Sequence, residues 1–154
     1  MSSSLEERLQ AVEDHLAIMN LLAAYGPAAD AADSEAIAEL WHPEGSYTVD
    51  AVTMVGDEVP ALVEWDAHRD YLAAGCAHVL STPRVTLQGD RAHAVNHSIV
   101  LRHDGNEWAA VRVSANRWEL ERVAGSWKVR HRTARLLNGS GEARDLLRGI
   151  DLEP

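Results

Sequence analysis

The chain has 154 residues, 46% of them hydrophobic, which is enough for one compact domain with a buried core. Its 14 basic and 24 acidic side chains give a formal charge of -10, so neither nucleic acid nor a membrane surface is a predicted partner. No apolar run reaches the roughly 18 residues of a membrane span, and the first residues lack a secretory pattern, which predicts a soluble, cytoplasmic protein.

The first predicted element is a long amphipathic helix. Ser3 with Glu6 and Ser4 with Glu7 both fit a capping box at its start. Apolar side chains then recur at alternating steps of four and three residues, at Leu5, Leu9, Val12, Leu16 and Met19. Pro27 should kink or end this helix, because it has no amide hydrogen and its ring clashes with the preceding turn.

A short second helix and a first strand are predicted next. Asp33 or Ser34 can cap a helix that runs through Trp41. Residues 42–45 are predicted to form a turn, and residues 46–55 a short strand or ragged hairpin.

A third helix is predicted to begin at Pro60, which suits a first helical turn, and to stop at Gly75. After it the pattern changes to period two, in four strand-like runs at residues 79–87, 92–103, 108–122 and 127–137. Short turns at Gly89, Gly105 and Gly125 predict an antiparallel meander. A short terminal helix is expected around Leu146, Leu147 and Ile150.

Helices first and a long sheet afterwards predict an α+β domain. Three N-terminal helices would cover one face of a curved, mostly antiparallel sheet, and a cone with a pocket is the expected result. No repeat or linker divides the chain, so residues 1–154 are predicted to be a single domain, with its core at about 5–140 and a tail at 138–154.

Two histidines on neighbouring predicted strands are candidates for acid–base chemistry. His78 lies at the start of the first long strand, in the segment Ala77-His78-Val79-Leu80-Ser81. Alternation places His97 among apolar side chains of the next strand, which is costly unless something hydrogen-bonds the ring. Asp30 is the expected partner of a histidine, since a carboxylate fixes the imidazole tautomer and raises its basicity. The alternative is that these histidines only satisfy a polar core.

A lined cavity is predicted where polar and large apolar residues share one strand face. Arg112, Ser114 and Asn116 alternate there between Trp108 and Trp118. The alternative is that this face is solvated. Two tyrosines near the junctions of helix and strand could donate a phenolic hydrogen bond to a substrate oxygen, at positions 25 and 47.

Other familiar constellations are absent from the sequence. It contains no GxGxxG, HExxH, paired CxxC or GxSxG pattern, and the single Cys76 is interpreted as a small buried residue. A metal site built from Asp30, His78 and His97 lacks short-range ligand spacing, so no metal and no cofactor are predicted. His68 is expected to be exposed, and Arg132 to be solvated or interfacial.

Four segments carry a resemblance to a known family: the helix at 18–30, the turn Leu40-Trp41-His42-Pro43-Glu44-Gly45-Ser46-Tyr47, the strand start Ala77-His78 and the hairpin at 118–129. With these segments the chain resembles the SnoaL-like branch of the nuclear transport factor two-like superfamily over about residues 5–140. Scytalone dehydratase and hexachlorocyclohexane dehydrochlorinase are the most similar kinds of enzyme.

The resemblance implies a cone-shaped α+β barrel whose mouth takes a small hydrophobic substrate, in a homodimer or homotrimer. It also implies that Asp30 pairs with His78, which removes a proton next to an electron-withdrawing group, with His97 as a second catalytic histidine. The substrate-binding residues that it suggests are Tyr25, Trp41, Tyr47, Arg112 and Asn116.

The predicted function is therefore that of a cofactor-independent lyase or dehydratase acting on a small cyclic or aromatic substrate. A polyketide-type cyclase or isomerase would use the same pair of residues without expelling water. A noncatalytic ligand-binding or assembly module is the third alternative, because this fold is widely reused.

Overall fold

The computed structural model describes residues 3–148, which form five α-helices, one 3-10 helix and seven strands. In chain order the elements are α1 (Leu5–Asp30), α2 (Ser34–Leu40), β1 (Trp41–Val49), β2 (Val52–Val55), α3 (Glu58–Ala61), the 3-10 helix (Leu62–Glu64), α4 (Asp66–Ala74), β3 (Cys76–Leu80), β4 (Arg84–Gln88), β5 (Arg91–His103), β6 (Trp108–Val123), β7 (Ser126–Leu136) and α5 (Gly141–Leu147). No helix in these residues is long and apolar enough to cross a membrane.

The seven strands form one curved sheet in the order β2-β1-β7-β6-β5-β3, with β4 also paired to β5. The meander of β5, β6 and β7 is antiparallel, as predicted, whereas β1 runs parallel to β7. Among the described residues the edge strands β2 and β3 pair on one side only, so the sheet is an open cone. The predicted α+β class is confirmed.

Helix α1 differs from the prediction in where it ends and in which face it buries. The capping box at Ser4 and Glu7 is present, but the helix continues past Pro27 to Asp30. Pro27 is exposed, while the small residues beside it are buried, so packing of this last turn offsets one missing backbone hydrogen bond. The buried face holds Ile18 and Leu22, and most of the predicted apolar stripe is exposed.

Two predictions were wrong in the middle of the chain. The predicted turn at residues 42–45 belongs to β1, where the register with β7 shifts between Trp41 and Ser46. The third helix is divided into α3, a 3-10 helix and α4, because Trp65 adopts an extended conformation before α4.

The strand predicted at residues 79–87 is in fact the two strands β3 and β4, both antiparallel to β5. Between them lies Pro83, which cannot donate a ladder hydrogen bond. At the end of the described chain, α5 includes Leu146 and Leu147 as predicted, and Ile150 lies outside the described residues.

Aromatic rings fill the core between α1 and the sheet. The ring of Tyr25 lies 5.7 Å from that of Trp41 and 6.2 Å from that of Trp118, in edge-to-face arrangements. Small side chains of β5, including Ala92 and Ala94, belong to the same core. The core thus closes one end of the cone and leaves space at the other.

Candidate active site

The end of α1 and the start of β3 bring Asp30 and His78 into contact. Asp30 Oδ1 lies 2.6 Å from His78 Nδ1, and the two carboxylate oxygens accept the backbone N–H of His78 at 2.9 and 3.1 Å. Because the carboxylate holds the proton on Nδ1, the lone pair of the ring is left on Nε2. The side chains are 14% exposed for His78 and 25% for Asp30, so the pair is sheltered. Their catalytic roles stay a prediction.

A close approach of backbones makes this contact possible. A Cβ atom on Gly26 would overlap the carbonyl oxygen of His78, so only glycine lets α1 lie so close to β3. Asp30 follows one helical turn later and therefore reaches the first residues of the strand. The sequence at the end of α1 thus positions the carboxylate as well as supplying it.

Burial lowers the pKa of His78 below its ordinary value of 6.5. The hydrogen bond and the negative charge of Asp30 act in the opposite direction, and nearby His68 and Arg132 lower the pKa further. Since burial outweighs the carboxylate, the imidazole is neutral at pH 7. A neutral imidazole with a free Nε2 can accept a proton from a substrate.

A cavity of about 240 Å³ lies beside this pair and is lined by His78. Its wall is mostly apolar and aromatic, with contributions from α4, the 3-10 helix and the strands. The other lining residues are Tyr25, Tyr47, Val49, Leu62, Trp65, Ala67, His68, Tyr71, Leu80, Ser98, Val100, Arg112, Ser114, Arg132 and Ala134. The size suits a small ligand.

Arg132 is a buried cation at the cavity wall, so the prediction of a solvated or interfacial side chain was wrong. It is 2% exposed, and its Nε and Nη2 donate to Asn116 Oδ1 at 3.0 and 2.8 Å. The guanidinium carbon lies 4.5, 4.4 and 4.2 Å from the ring centres of Tyr25, Tyr47 and Trp118. The three aromatic rings and the Asn116 amide oxygen therefore stabilise the guanidinium in place of a carboxylate.

The reason for this error is one extra residue in β7. The register with β6 shifts between Glu119 and Leu120, so that Leu120 faces Val129 and Glu119 faces His131. Arg130 is the extra residue, and the side chains after it exchange faces. Simple alternation from Trp127 therefore assigns Arg132 to the wrong side of the sheet.

Two polar atoms at the cavity wall have no hydrogen-bond partner within the described part of the chain. They are Nη1 of Arg132 and Oγ of Ser114, and both residues line the cavity. A buried cation that faces no carboxylate is costly, and a substrate that develops negative charge would offset that cost. The guanidinium thus favours an oxyanion or a departing anion in the adjacent cavity through its charge.

The other predicted binding residues divide between the cavity wall and the layer behind it. Tyr25 and Tyr47 line the cavity, and burial raises the pKa of Tyr25, so its phenol stays protonated and can donate. Arg112 lies at the wall with an ion pair to Asp50 at 2.9 Å.

Asn116 is fully buried behind the wall, where its amide holds Arg132 and donates to Ser98 Oγ at 2.9 Å. Trp41 packs against Tyr25 in the core and is not among the residues that line the cavity. Both are therefore placed to position the wall residues and not to contact a ligand directly.

His97 lies on the other face of β5, so its predicted place in the cavity was wrong. It is exposed, whereas Asn96 and Ser98 on either side of it are buried. The inward face of β5 carries small and polar residues because the rings of α1 and β6 fill the space opposite. The alternating apolar residues that include Ile99 lie on the outward face of β5. Alternation shows that the strand has two faces, but it does not show which of them faces the core.

His68 was expected at the surface but is buried in α4 beside the pair. Its ring stacks on that of His78 with centroids 5.4 Å apart, and its Nε2 donates to the carbonyl of Ala29 at 2.9 Å. No motif marks this histidine in the sequence, because it is brought to the cavity by the break before α4.

Three donor atoms near the cavity could hold a metal ion. They belong to Asp30, Cys76 and His78 and lie within 4.8 Å of one another. Burial, the charge of Asp30 and a 3.6 Å contact with its carboxylate raise the pKa of the Cys76 thiol to about 11, which disfavours the thiolate that a metal needs. The donor set fits proton transfer better than a closed four-ligand site.

Comparison with known proteins identifies relatives of the whole domain. The family model described as the SnoaL-like domain matches residues 10–133. An NTF2-like protein with a cystatin-like fold from Novosphingobium aromaticivorans is 42% identical, with 94% of this chain and 96% of that chain covered and a TM-score of 0.92. No curated protein matches the sequence.

More distant solved structures share the fold. A hexachlorocyclohexane dehydrochlorinase from Novosphingobium barchaimii is 19% identical, with 84% and 90% of the two chains covered and a TM-score of 0.72. A candidate scytalone dehydratase from Novosphingobium aromaticivorans is 15% identical, with 82% and 85% covered and a TM-score of 0.68. Dehydratase-like lyases thus occur among proteins of this fold.

Proposed function

The chain belongs to the SnoaL-like domain family, and from that premise we propose that it is a cofactor-independent lyase. Its substrate would be a small cyclic or aromatic compound that loses water or a hydrogen halide. The observation that carries the proposal is the 2.6 Å contact between Asp30 and His78 at the wall of a cavity that Arg132 also lines.

In the proposed reaction, His78 Nε2 takes a proton from a substrate carbon next to an electron-withdrawing group. The electrons of the broken C–H bond form a new C=C bond, and the leaving group departs with the electrons of its own bond. A halide leaves as the anion, and the accepted proton stays on His78 until solvent takes it. A hydroxyl group leaves as water by taking the proton that His78 Nε2 has accepted, which returns the imidazole to its neutral form. Asp30 stabilises the imidazolium that forms, and a positioned base of this kind contributes on the order of 10²–10⁴ in rate.

Two further residues of the cavity wall support the charge that develops on the substrate. Arg132 Nη1 and the phenol of Tyr25 are donors held rigidly by the core, so they need no rearrangement during the reaction. Donors of this kind are each worth about 10²–10³ in kcat. The proposal therefore assigns the base to His78 and electrostatic stabilisation to Arg132 and Tyr25.

The first test replaces the base and uses an outward-facing histidine as the matched control. His78→Gln should abolish turnover, and His97→Gln should leave it unchanged, since His97 lies on the exposed face of β5. The assay follows a panel of cyclic β-hydroxy ketones and chlorinated cyclohexanes by mass spectrometry. An unchanged product mass would indicate an isomerase or cyclase, and full activity of His78→Gln would contradict the proposed base.

A second prediction concerns Arg132. Arg132→Met should lower kcat by about 10²–10³-fold, because it removes a donor that acts on developing charge. The fold should survive with some loss of stability, because the change removes an unneutralised buried cation but leaves the buried Asn116 Oδ1 without its donors. Arg135→Met on the same strand is the control and should retain activity. Retained kcat in Arg132→Met, with its melting temperature measured alongside, would show that the guanidinium is only structural.

A further inference from the structure

An exposed apolar stripe runs along the N-terminal half of α1. It consists of Leu5, Leu9, Val12 and Leu16, which are 77, 56, 56 and 62% exposed. All residues from Leu5 to Glu13 are exposed, so this part of the helix extends beyond the body of the domain. Four large side chains in one row on a protruding helix are more than the scattered apolar residues of an ordinary surface.

The stripe faces away from the body of the domain. Asp14 is buried on the opposite side, where it accepts hydrogen bonds from Arg122 at 2.7 Å and Trp127 at 3.1 Å. Ile18 is also on the buried side and is completely covered. A second helix placed on the stripe would therefore leave the two bodies on opposite outer sides, where they do not collide.

The spacing of the stripe is that of a two-helix seam. Steps of four, three and four residues are the a and d positions of a heptad repeat, which pack as knobs into holes of a partner helix. A protruding helix with no partner has only its capping box and its docked end to stabilise it, and short isolated helices are marginal in water.

We propose that this stripe, defined as Leu5, Leu9, Val12 and Leu16, pairs two copies of the chain through parallel α1 helices. The flanking charges favour this orientation. In a parallel pair Arg8 of each copy lies beside Glu13 of the other, which gives two ion pairs by symmetry. In an antiparallel pair Glu6 would face Glu13, which is repulsive.

Other occupants fit the surface less well. Glu6, Glu7 and Glu13 surround the stripe and the net charge is -10, so an anionic lipid surface is disfavoured. The contact is short compared with the roughly 1,200 Å² of a specific stable interface, so the dimer should depend on protein concentration.

The test is sedimentation velocity of the full chain across a range of concentrations from low micromolar upward. Wild type should shift from monomer to dimer, and Leu9→Glu/Leu16→Glu should stay monomeric. Val52→Glu/Val55→Glu is the matched control, because both of its valines are 53% exposed on β2, and it should dimerise like wild type. Wild type that is monomeric throughout, or a stripe variant that associates normally, would overturn the proposal.

A charge variant tests the orientation separately and does not depend on the stripe variant folding. Glu13→Arg brings the new guanidinium beside Arg8 of the other copy in a parallel pair and should weaken the dimer by roughly twofold to tenfold. In an antiparallel pair the same change would place that guanidinium beside Glu6 and strengthen association, which would contradict the parallel arrangement. Arg8→Glu/Glu13→Arg should restore wild-type affinity.

Discussion

At the scale of single residues, the charge state of His78 decides what the pair can do. Burial holds its pKa below 6.5, while Asp30 raises it, so the two effects set a neutral base at pH 7. The sign of the pH dependence follows directly. A base must be unprotonated, so activity should rise as pH increases through a pKa below 6.5 and then level off.

The corresponding prediction concerns Asp30→Asn. Loss of the carboxylate removes the effects that raise the pKa of His78, so the acid limb of the kcat/KM profile should move to lower pH. Turnover on the plateau should fall at least about tenfold, since the ring becomes a weaker base and its tautomer is no longer fixed. The measurement is kcat/KM from pH 4 to 8. A limb that moves to higher pH would contradict the assigned coupling.

The sequence was informative about the pair and about Tyr25, Tyr47 and Arg112 at the cavity wall, and it was misleading about Arg132 and His97. Asp30 and His78 could be matched through the segments that carry the family resemblance, and the structure places them in contact. Arg132 could not be found, because one extra residue in β7 changes which side chains face inward and no residue pattern marks that extra residue. The prediction for His97 was wrong for a related reason. Both faces of β5 carry apolar residues, so the period-two pattern did not identify the inner face.

At the scale of elements, the glycines that end α4 and join the later strands were reliable guides, and the apolar pattern of α1 was not. The glycines at 75, 89, 105 and 125 all lie at predicted ends or turns with positive φ. The most regular apolar pattern, in α1, points outward instead of into the core. Periodicity shows that a helix has an apolar face, and it does not distinguish a core from another chain.

The packing of α1 on β3 gives an element-scale prediction. Gly26→Ala gains about 1 kcal/mol of helix propensity, but the new Cβ overlaps the backbone of His78 and must push the two elements apart. We expect a net loss of about 1–2 kcal/mol of unfolding free energy. Activity should fall further than stability, because the shift separates Asp30 from His78.

The control for Gly26→Ala is Gly141→Ala in the first turn of α5. A Cβ there meets no atom within 4 Å, so the same substitution should be neutral or stabilising. Urea unfolding of both variants, together with turnover, checks the comparison. Equal stability and activity of the two variants would show that the close approach at Gly26 does not position the pair.

At the scale of the whole molecule, the net charge opposes dimer formation and the apolar stripe favours it. Each copy carries a formal charge of -10, so two copies repel as they approach. Apolar burial along Leu9 and Leu16 does not weaken with salt, whereas ion pairs at the rim do. The balance of these effects determines how association responds to ionic strength.

We therefore expect the dimer to become tighter as sodium chloride increases from about 20 to 300 mM, because the screening length falls from more than 20 Å to less than 10 Å. Long-range repulsion between the two acidic copies is screened over this range, whereas the apolar contact along the stripe is unaffected. Sedimentation velocity at fixed protein concentration measures the change, and Leu9→Glu/Leu16→Glu should remain monomeric at every salt concentration. Weaker association at high salt would mean that the pairs of Arg8 with Glu13, and not the apolar stripe, supply most of the affinity.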